Sequence, residues 1–249
     1  MELTVPEPQT FNTAAAMGAL QARLDQRGLG HITAGPVADE PSEDQPGHPN
    51  YHRRIRTEFA LARWQVATPP RYRRAEATDP AVIAWADRTA QEPDDATSLL
   101  LTGGTGTGKT HQAYGALRRI AEFGPRRYEI IATTAADMYS SLRPGGSRAN
   151  SDQDLGRLAH VPLLLLDDLG SAKASEWVEE ITYRLINERY NQCLPTIFTS
   201  NFPTRADRDK EGRPLGPDLI SIFGDRIVSR LAEMTTVVAI AGPDRRRAA

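Results

Sequence analysis

Short aliphatic runs alternate with amphipathic stretches along most of this chain. Residues 97–101, 127–132, 161–166, 195–200 and 236–240 read as strands of five or six positions, and the apolar runs in 97–101, 161–166 and 195–200 suit burial on both faces. Between them, spacings of three and four predict helices over 109–122, 135–142, 151–159, 174–191, 217–222 and 224–233. An irregular Arg/Gly/Ser segment spans 143–150, and a charged loop, expected to be mobile, spans 203–217. Strands and helices in alternation predict an α/β fold with a mostly parallel sheet flanked by helices.

The pattern differs upstream. Residues 13–28 read as a helix with a narrow stripe of Met17, Leu20 and Leu24, suited either to a partner or to a neighbouring helix of the same chain. Residues 31–50 are rich in Pro, Gly and acids and read as a linker. Residues 51–66 read as a second helix, with Ile55, Phe59, Ala62 and Val66 on one face, and Pro69-Pro70 stops it. Asp79-Pro80 then starts a helix to about Ala90 that has Val82, Ile83, Trp85 and Ala86 to bury. The expected organisation is a small helical N-terminal region, 1–66, followed by an α/β domain, 67–249.

Charge changes this picture only locally. The formal net charge of the 249 residues is −2, so the molecule is no bulk polycation, and nucleic-acid binding must come from patches. One such patch is a candidate: seven arginines stand between Tyr51 and Arg74 against the single acid Glu58, with Tyr51, Phe59, Trp64 and Tyr72 interleaved. It suits phosphates or an acidic partner, and equally a solvated helix face. Cys193 is the one cysteine, which excludes a disulfide framework and a cysteine-rich zinc module and suits a reducing cytoplasm. No signal peptide and no membrane span are expected.

The chemistry centres on Gly103, Gly104, Thr105, Gly106, Thr107, Gly108, Lys109 and Thr110, which fit G-x-x-x-x-G-K-[ST] without a mismatch. A strand precedes the loop and a helix beginning Lys109-Thr110-His111 follows, as a phosphate cradle requires. Backbone N–H groups turn inward, the helix N-terminus adds partial positive charge, Lys109 reaches the β- and γ-phosphates, and Thr110 holds Mg²⁺. Three further signals follow. The run Leu163 to Leu166 ends in Asp167 and Asp168, at the strand end where ligands of parallel sheets sit. That sets Asp167 beside Mg²⁺ and Asp168 where it can orient a water. Another buried run ends in Thr199, Ser200 and Asn201, and the Asn201 amide can hold the same water. Arg226 and Arg230, four apart on one helix face, suit insertion into a neighbouring subunit's site.

In this order the motifs resemble the AAA+ (ASCE) ATPases, and among them the DnaC-type helicase loaders and their IstB-like transposition relatives. The resemblance covers roughly residues 69–247. It makes Gly103 to Thr110 a Walker A motif, Leu163 to Gly170 a Walker B motif and Thr199 to Asn201 a sensor I. Asn187 to Tyr190 and Gly224 to Leu231 also match the group. It implies that Lys109, Asp168, Asn201 and Arg230 are catalytic, with Arg230 acting in trans and Arg226 a second candidate at that interface. The tail Asp244 to Arg247 implies Arg247 as a nucleotide-sensing arginine. Asp168 stands where many AAA+ enzymes have Glu, which implies slow turnover. The resemblance also implies ATP and Mg²⁺ as cofactors and self-association through AAA+ interfaces. It implies single-stranded DNA contacts in 137–159 (Tyr139, Arg143, Arg148, Arg157) and a replicative helicase gripped by residues 1–66. The expected function is therefore ATP-dependent helicase loading. The alternatives are a transposition helper and an ATP-gated adaptor with negligible hydrolysis.

Overall fold

The aliphatic runs become five strands of a single parallel sheet, β1 (Ser98–Thr102), β2 (Ile130–Thr134), β3 (Leu163–Asp167), β4 (Thr196–Ser200) and β5 (Thr235–Ala239). Their order across the sheet is β2-β3-β4-β1-β5. This computed structural model describes residues 13–30, 41–143 and 151–245. The chain divides into two units, 1–48 and 49–249.

Successive strand residues point to opposite faces, and each face meets its own helical layer. Leu100, Leu164, Leu166 and Phe198 join a core with α5 (Ala135–Leu142), α6 (Ser151–His160), α7 (Glu176–Asn191) and α8 (Leu219–Met234). Leu99, Leu101, Leu163, Leu165 and Ile197 join a second core with α2 (Pro49–Ala67), α3 (Pro80–Gln91) and α4 (Lys109–Glu122). Burial on both sides is why β1 and β3 read as aliphatic runs, whereas the edge strands β2 and β5 are half-buried or exposed. The α3 start is as expected: Pro80 is the first helical residue, and the Asp79 side chain accepts from the Ala81 and Val82 amides. The two helices expected at 217–222 and 224–233 are present within the span α8 and meet at Gly224, whose backbone (φ 79°, ψ 164°) is not helical.

The N-terminal unit contains α1 (Thr13–Gln26), with Met17 and Leu20 exposed. The second helix belongs with the other unit, 49–249. Its inner face is not the expected one. Ala60 and Trp64 are buried, while Ile55, Phe59 and Val66 are exposed. The Trp64 indole donates to the Tyr114 carbonyl (3.1 Å), and Arg56 and Arg63 donate to the Gly124 and Tyr128 carbonyls (2.8 and 3.3 Å). Those bonds orient α2 with its larger aliphatics outward. The 203–217 loop is tied by its own polar groups: the Asp209 carboxylate accepts from the Glu211 and Arg213 amides (3.0 and 2.7 Å).

Candidate nucleotide site

The order β3-β4-β1 lines up three C-terminal strand ends, and the sequence-predicted residues converge there. A cavity of about 600 Å³ is lined by Thr105, Gly106, Gly108, Lys109, Thr110 and His111 from the glycine loop and α4. Asp167, Asp168, Thr199 and Asn201 line it from the ends of β3 and β4. The loop needs its glycines: Gly106 has φ 81°, and a Cβ there would lie 1.8 Å from an Asp244 carboxylate oxygen.

Inside the cavity the polar groups form a chain. The Lys109 ammonium donates to the Gly103 and Gly104 carbonyls (2.9 and 2.8 Å) and to the Asn201 amide oxygen (2.8 Å). The Asn201 amide nitrogen donates to the Asp168 carboxylate (2.8 Å). Asp168 has φ 60°, a strained conformation for a residue with a side chain. The Thr110 hydroxyl donates to Asp167 (3.0 Å), and so does the Thr199 hydroxyl (2.6 Å). The Thr199 oxygen also accepts the Asp168 amide (2.8 Å). One buried hydroxyl on β4 thus holds the Asp167 carboxylate and the backbone of Asp168 just beyond β3.

Burial raises the Asp167 pKa, and the Thr199 and Thr110 hydrogen bonds only partly oppose this. A desolvated carboxylate beside a hydroxyl is a hard-oxygen pair in want of a cation, and it fits Mg²⁺. Among the described residues no group of three or more His, Cys, Asp or Glu side chains can form a metal cage. A two-ligand site suits an ion held otherwise by phosphate oxygens. His111 is pushed below its ordinary pKa by burial and then by Arg71 and Arg245, which favours its neutral form.

The cavity also holds residues that the sequence did not tie to the nucleotide: Arg71 and Tyr72 from the 51–74 patch, Thr134, and Arg245 from the tail. Tyr72 stacks on Tyr114 (4.9 Å between centroids) and meets His111 edge-on (5.0 Å). The Arg245 amide donates to the Gly106 carbonyl (3.0 Å), which brings this arginine of the tail to the phosphate loop. Arg247, the expected sensing residue, lies outside the described residues, as does Arg148.

Arg226 and Arg230 do not line the cavity of their own chain. They lie between α8 and α7. The Arg226 guanidinium sits 3.9 Å from the Tyr183 ring centroid, and Arg230 donates to the Asn187 side chain (3.0 Å). Arg189 of the same 187–190 run is fully buried. Its nitrogens donate to Thr196 and to the carbonyls of Leu158, Ala159, Val161 and Pro195. That run therefore builds the α6–α7–β4 junction and holds the α8 arginines. Tyr139, expected at a DNA-contacting surface, is buried, and its hydroxyl bonds Thr182 (2.6 Å). An eight-residue helix has to bury one face, and Tyr139 lies on that face with Met138 and Leu142.

A glycine phosphate loop after β1, two acids after β3 and a polar strand end between them define a P-loop protein of the AAA+ fold. The IstB-like ATP binding protein family matches residues 70–246, and the chain belongs to that family. It is 21% identical to the replicative helicase loader DnaI of Bacillus subtilis (strain 168), over 70% of this chain. This match spans 58% of the length of that relative. An ATP-binding protein in an insertion sequence of Mycobacterium tuberculosis is 23% identical, over 96% of this chain and 91% of the relative. The crystal structure of the DnaC helicase loader superposes with a TM-score of 0.55 and 26% identity, over 70% of this chain and 100% of that one. Among the described residues no helix is long and apolar enough to cross a membrane.

Proposed function

We propose that the protein is an ATP-dependent loader of a replicative helicase. The observation that carries this is the cavity itself. It joins Lys109, Thr110, Asp167, Asp168 and Asn201 in one hydrogen-bonded set, in a chain similar over the whole DnaC structure. Lys109 binds the β- and γ-phosphates of ATP. Thr110 and Asp167 hold Mg²⁺, which supplies charge neutralisation for the phosphates. Asn201 and Asp168 orient a water whose oxygen attacks the γ-phosphorus. The bond to the β–γ bridging oxygen breaks, ADP leaves, and the water proton passes to Asp168 or to the phosphate formed. Arg230 of one subunit supplies a further positive charge to the site of the next. Arg71, Tyr72, His111 and Arg245 lie at the same cavity and contact the nucleotide outside its γ-phosphate. Single-stranded DNA and the helicase are the macromolecular partners. The helicase contact lies in the N-terminal region, on the Met17, Leu20 and Leu24 stripe of α1, since α2 spends its inner face on α4.

The insertion-sequence relative, matched along nearly its whole length, favours a second reading as a transposition helper. Capture assays separate the two. Full-length protein with ATP is expected to retain the purified replicative helicase of its source organism and to promote its entry onto circular single-stranded DNA. Deleting residues 1–48 is expected to remove capture but leave ATP binding. Failure to bind helicase, with stimulation of a transposase's strand transfer instead, would establish the second reading.

A further inference from the structure

The stacking aromatic that a single-strand contact requires is absent from the expected place, because Tyr139 is core. A candidate replacement lies at the other end of the sheet. Three cavities, of about 660, 120 and 940 Å³, adjoin along α2 and the α4–β2 loop. Phe59 and Arg63 line the first two, and Arg126 and Arg127 line the last two, so they run together as one groove. The groove reaches Leu163 and Pro195, where β3 and β4 begin, and the nucleotide cavity lies where those strands end.

Charge along this groove is segregated. Its described lining includes Arg53, Arg56, Arg63, Arg126, Arg127 and Arg157, and Glu129 is the one carboxylate. This occurs in a chain of net charge −2. Arg127 faces Glu129 at 3.7 Å, and Arg157 faces Asp154 at 3.7 Å. Such exposed, long pairs neutralise little. Phe59 is 58% exposed, and the Arg63 guanidinium lies 4.6 Å from its ring centroid. Val66, 87% exposed, continues the apolar floor. An arginine row around an uncovered aromatic suits a sugar-phosphate backbone with unstacked bases. A duplex keeps its bases stacked inside and has no use for Phe59.

We propose that the groove between α2 and the α4–β2 loop binds single-stranded nucleic acid, with Arg126 and Arg127 on phosphates and Phe59 and Arg63 against a base. The proposal rests on the reading of this protein as a single-strand binder, and relocates the contact to the α2 side of the domain.

Anisotropy of a labelled oligothymidylate of about 20 nucleotides, titrated with full-length protein across a salt series, tests it. Charge reversal by Arg126→Glu with Arg127→Glu is expected to weaken binding at least about tenfold at low salt. It is also expected to flatten the log–log salt slope by about 1.4, at about 0.7 per phosphate lost. Phe59→Ala is expected to weaken binding about fivefold or more with the slope unchanged. None of these residues lines the nucleotide cavity, so binding of a fluorescent ATP analogue reports that the variants are folded. If Arg126→Glu/Arg127→Glu binds like the wild type while Arg143→Glu binds weakly, the groove is the wrong surface and the single-strand reading stands. If the wild type binds no oligonucleotide, that reading itself fails. Preference for duplex, or for a polyglutamate peptide over the oligonucleotide, overturns the assignment of partner.

Discussion

Asp167 is a carboxylate held where burial disfavours its charge. Its raised pKa means that the ligand-free native state keeps a proton to higher pH than the unfolded chain does. The associated stability is present below the ordinary carboxylate range and is lost as pH rises through the raised native value. Asp167→Asn removes that loss. The variant is expected to be at least as stable as the wild type near neutral pH without nucleotide, with a flatter stability profile above the ordinary carboxylate range. With Mg²⁺ and ATP at roughly a hundred times Kd, ligand linkage contributes about 2.7 kcal/mol, and the wild-type Tm is expected to rise by about 5–10 °C. The variant's Tm is expected to rise far less. A variant less stable than the wild type without nucleotide, yet equally stabilised by it, would make Asp167 structural.

At the scale of elements, the fully buried Arg189 carries the junction of α6, α7 and β4. Burial pushes its guanidinium pKa down to about 9, still charged at neutral pH. Two of the carbonyls it serves, Leu158 and Ala159, belong to the last turn of α6, where intrahelical donors run out. Arg189→Met leaves four carbonyls without this donor and is expected to cost about 3–5 kcal/mol in urea unfolding. A cost under about 1 kcal/mol would mean that water serves them as well. Much of this level was legible in the sequence. The runs at Leu99 to Leu101 and Leu163 to Leu166 have one reading when strands are covered on both faces. The glycine loop with Lys109 and Thr110 fixes where the site lies. The orientation of α2 was not legible, because small Ala60 and a single indole bond at Trp64 outweigh the larger Ile55, Phe59 and Val66. The tail was ambiguous for another reason. Arg245, Arg246 and Arg247 are chemically identical in the sequence; the Arg245 amide bonds Gly106, and the other two lie outside the described residues. Arg71 and Tyr72 were legible only as members of the 51–74 patch, because no motif spacing ties them to the phosphate loop.

At the scale of the whole molecule, the cavity holds Lys109, the hydroxyls of Thr110 and Thr199, the acids Asp167 and Asp168, and the Asn201 amide. Arg71 and Arg245 line it too, while Arg226 and Arg230, the arginines proposed for a neighbouring subunit's site, lie outside it against Tyr183 and Asn187. The central claim is that ATP is hydrolysed at a site finished by a second subunit's Arg230. Mixing two inactive variants tests it most directly. Lys109→Ala is expected not to bind ATP. Arg230→Ala is expected to bind ATP nearly normally but to hydrolyse it about 10³-fold or more slowly, within the range of arginine fingers. Mixed, they are expected to recover part of the wild-type rate, because a Lys109→Ala subunit still offers Arg230 to an Arg230→Ala neighbour's site. The wild-type rate is expected to rise more steeply than linearly with protein concentration. A wild-type rate linear in concentration, with no recovery on mixing, would contradict the account.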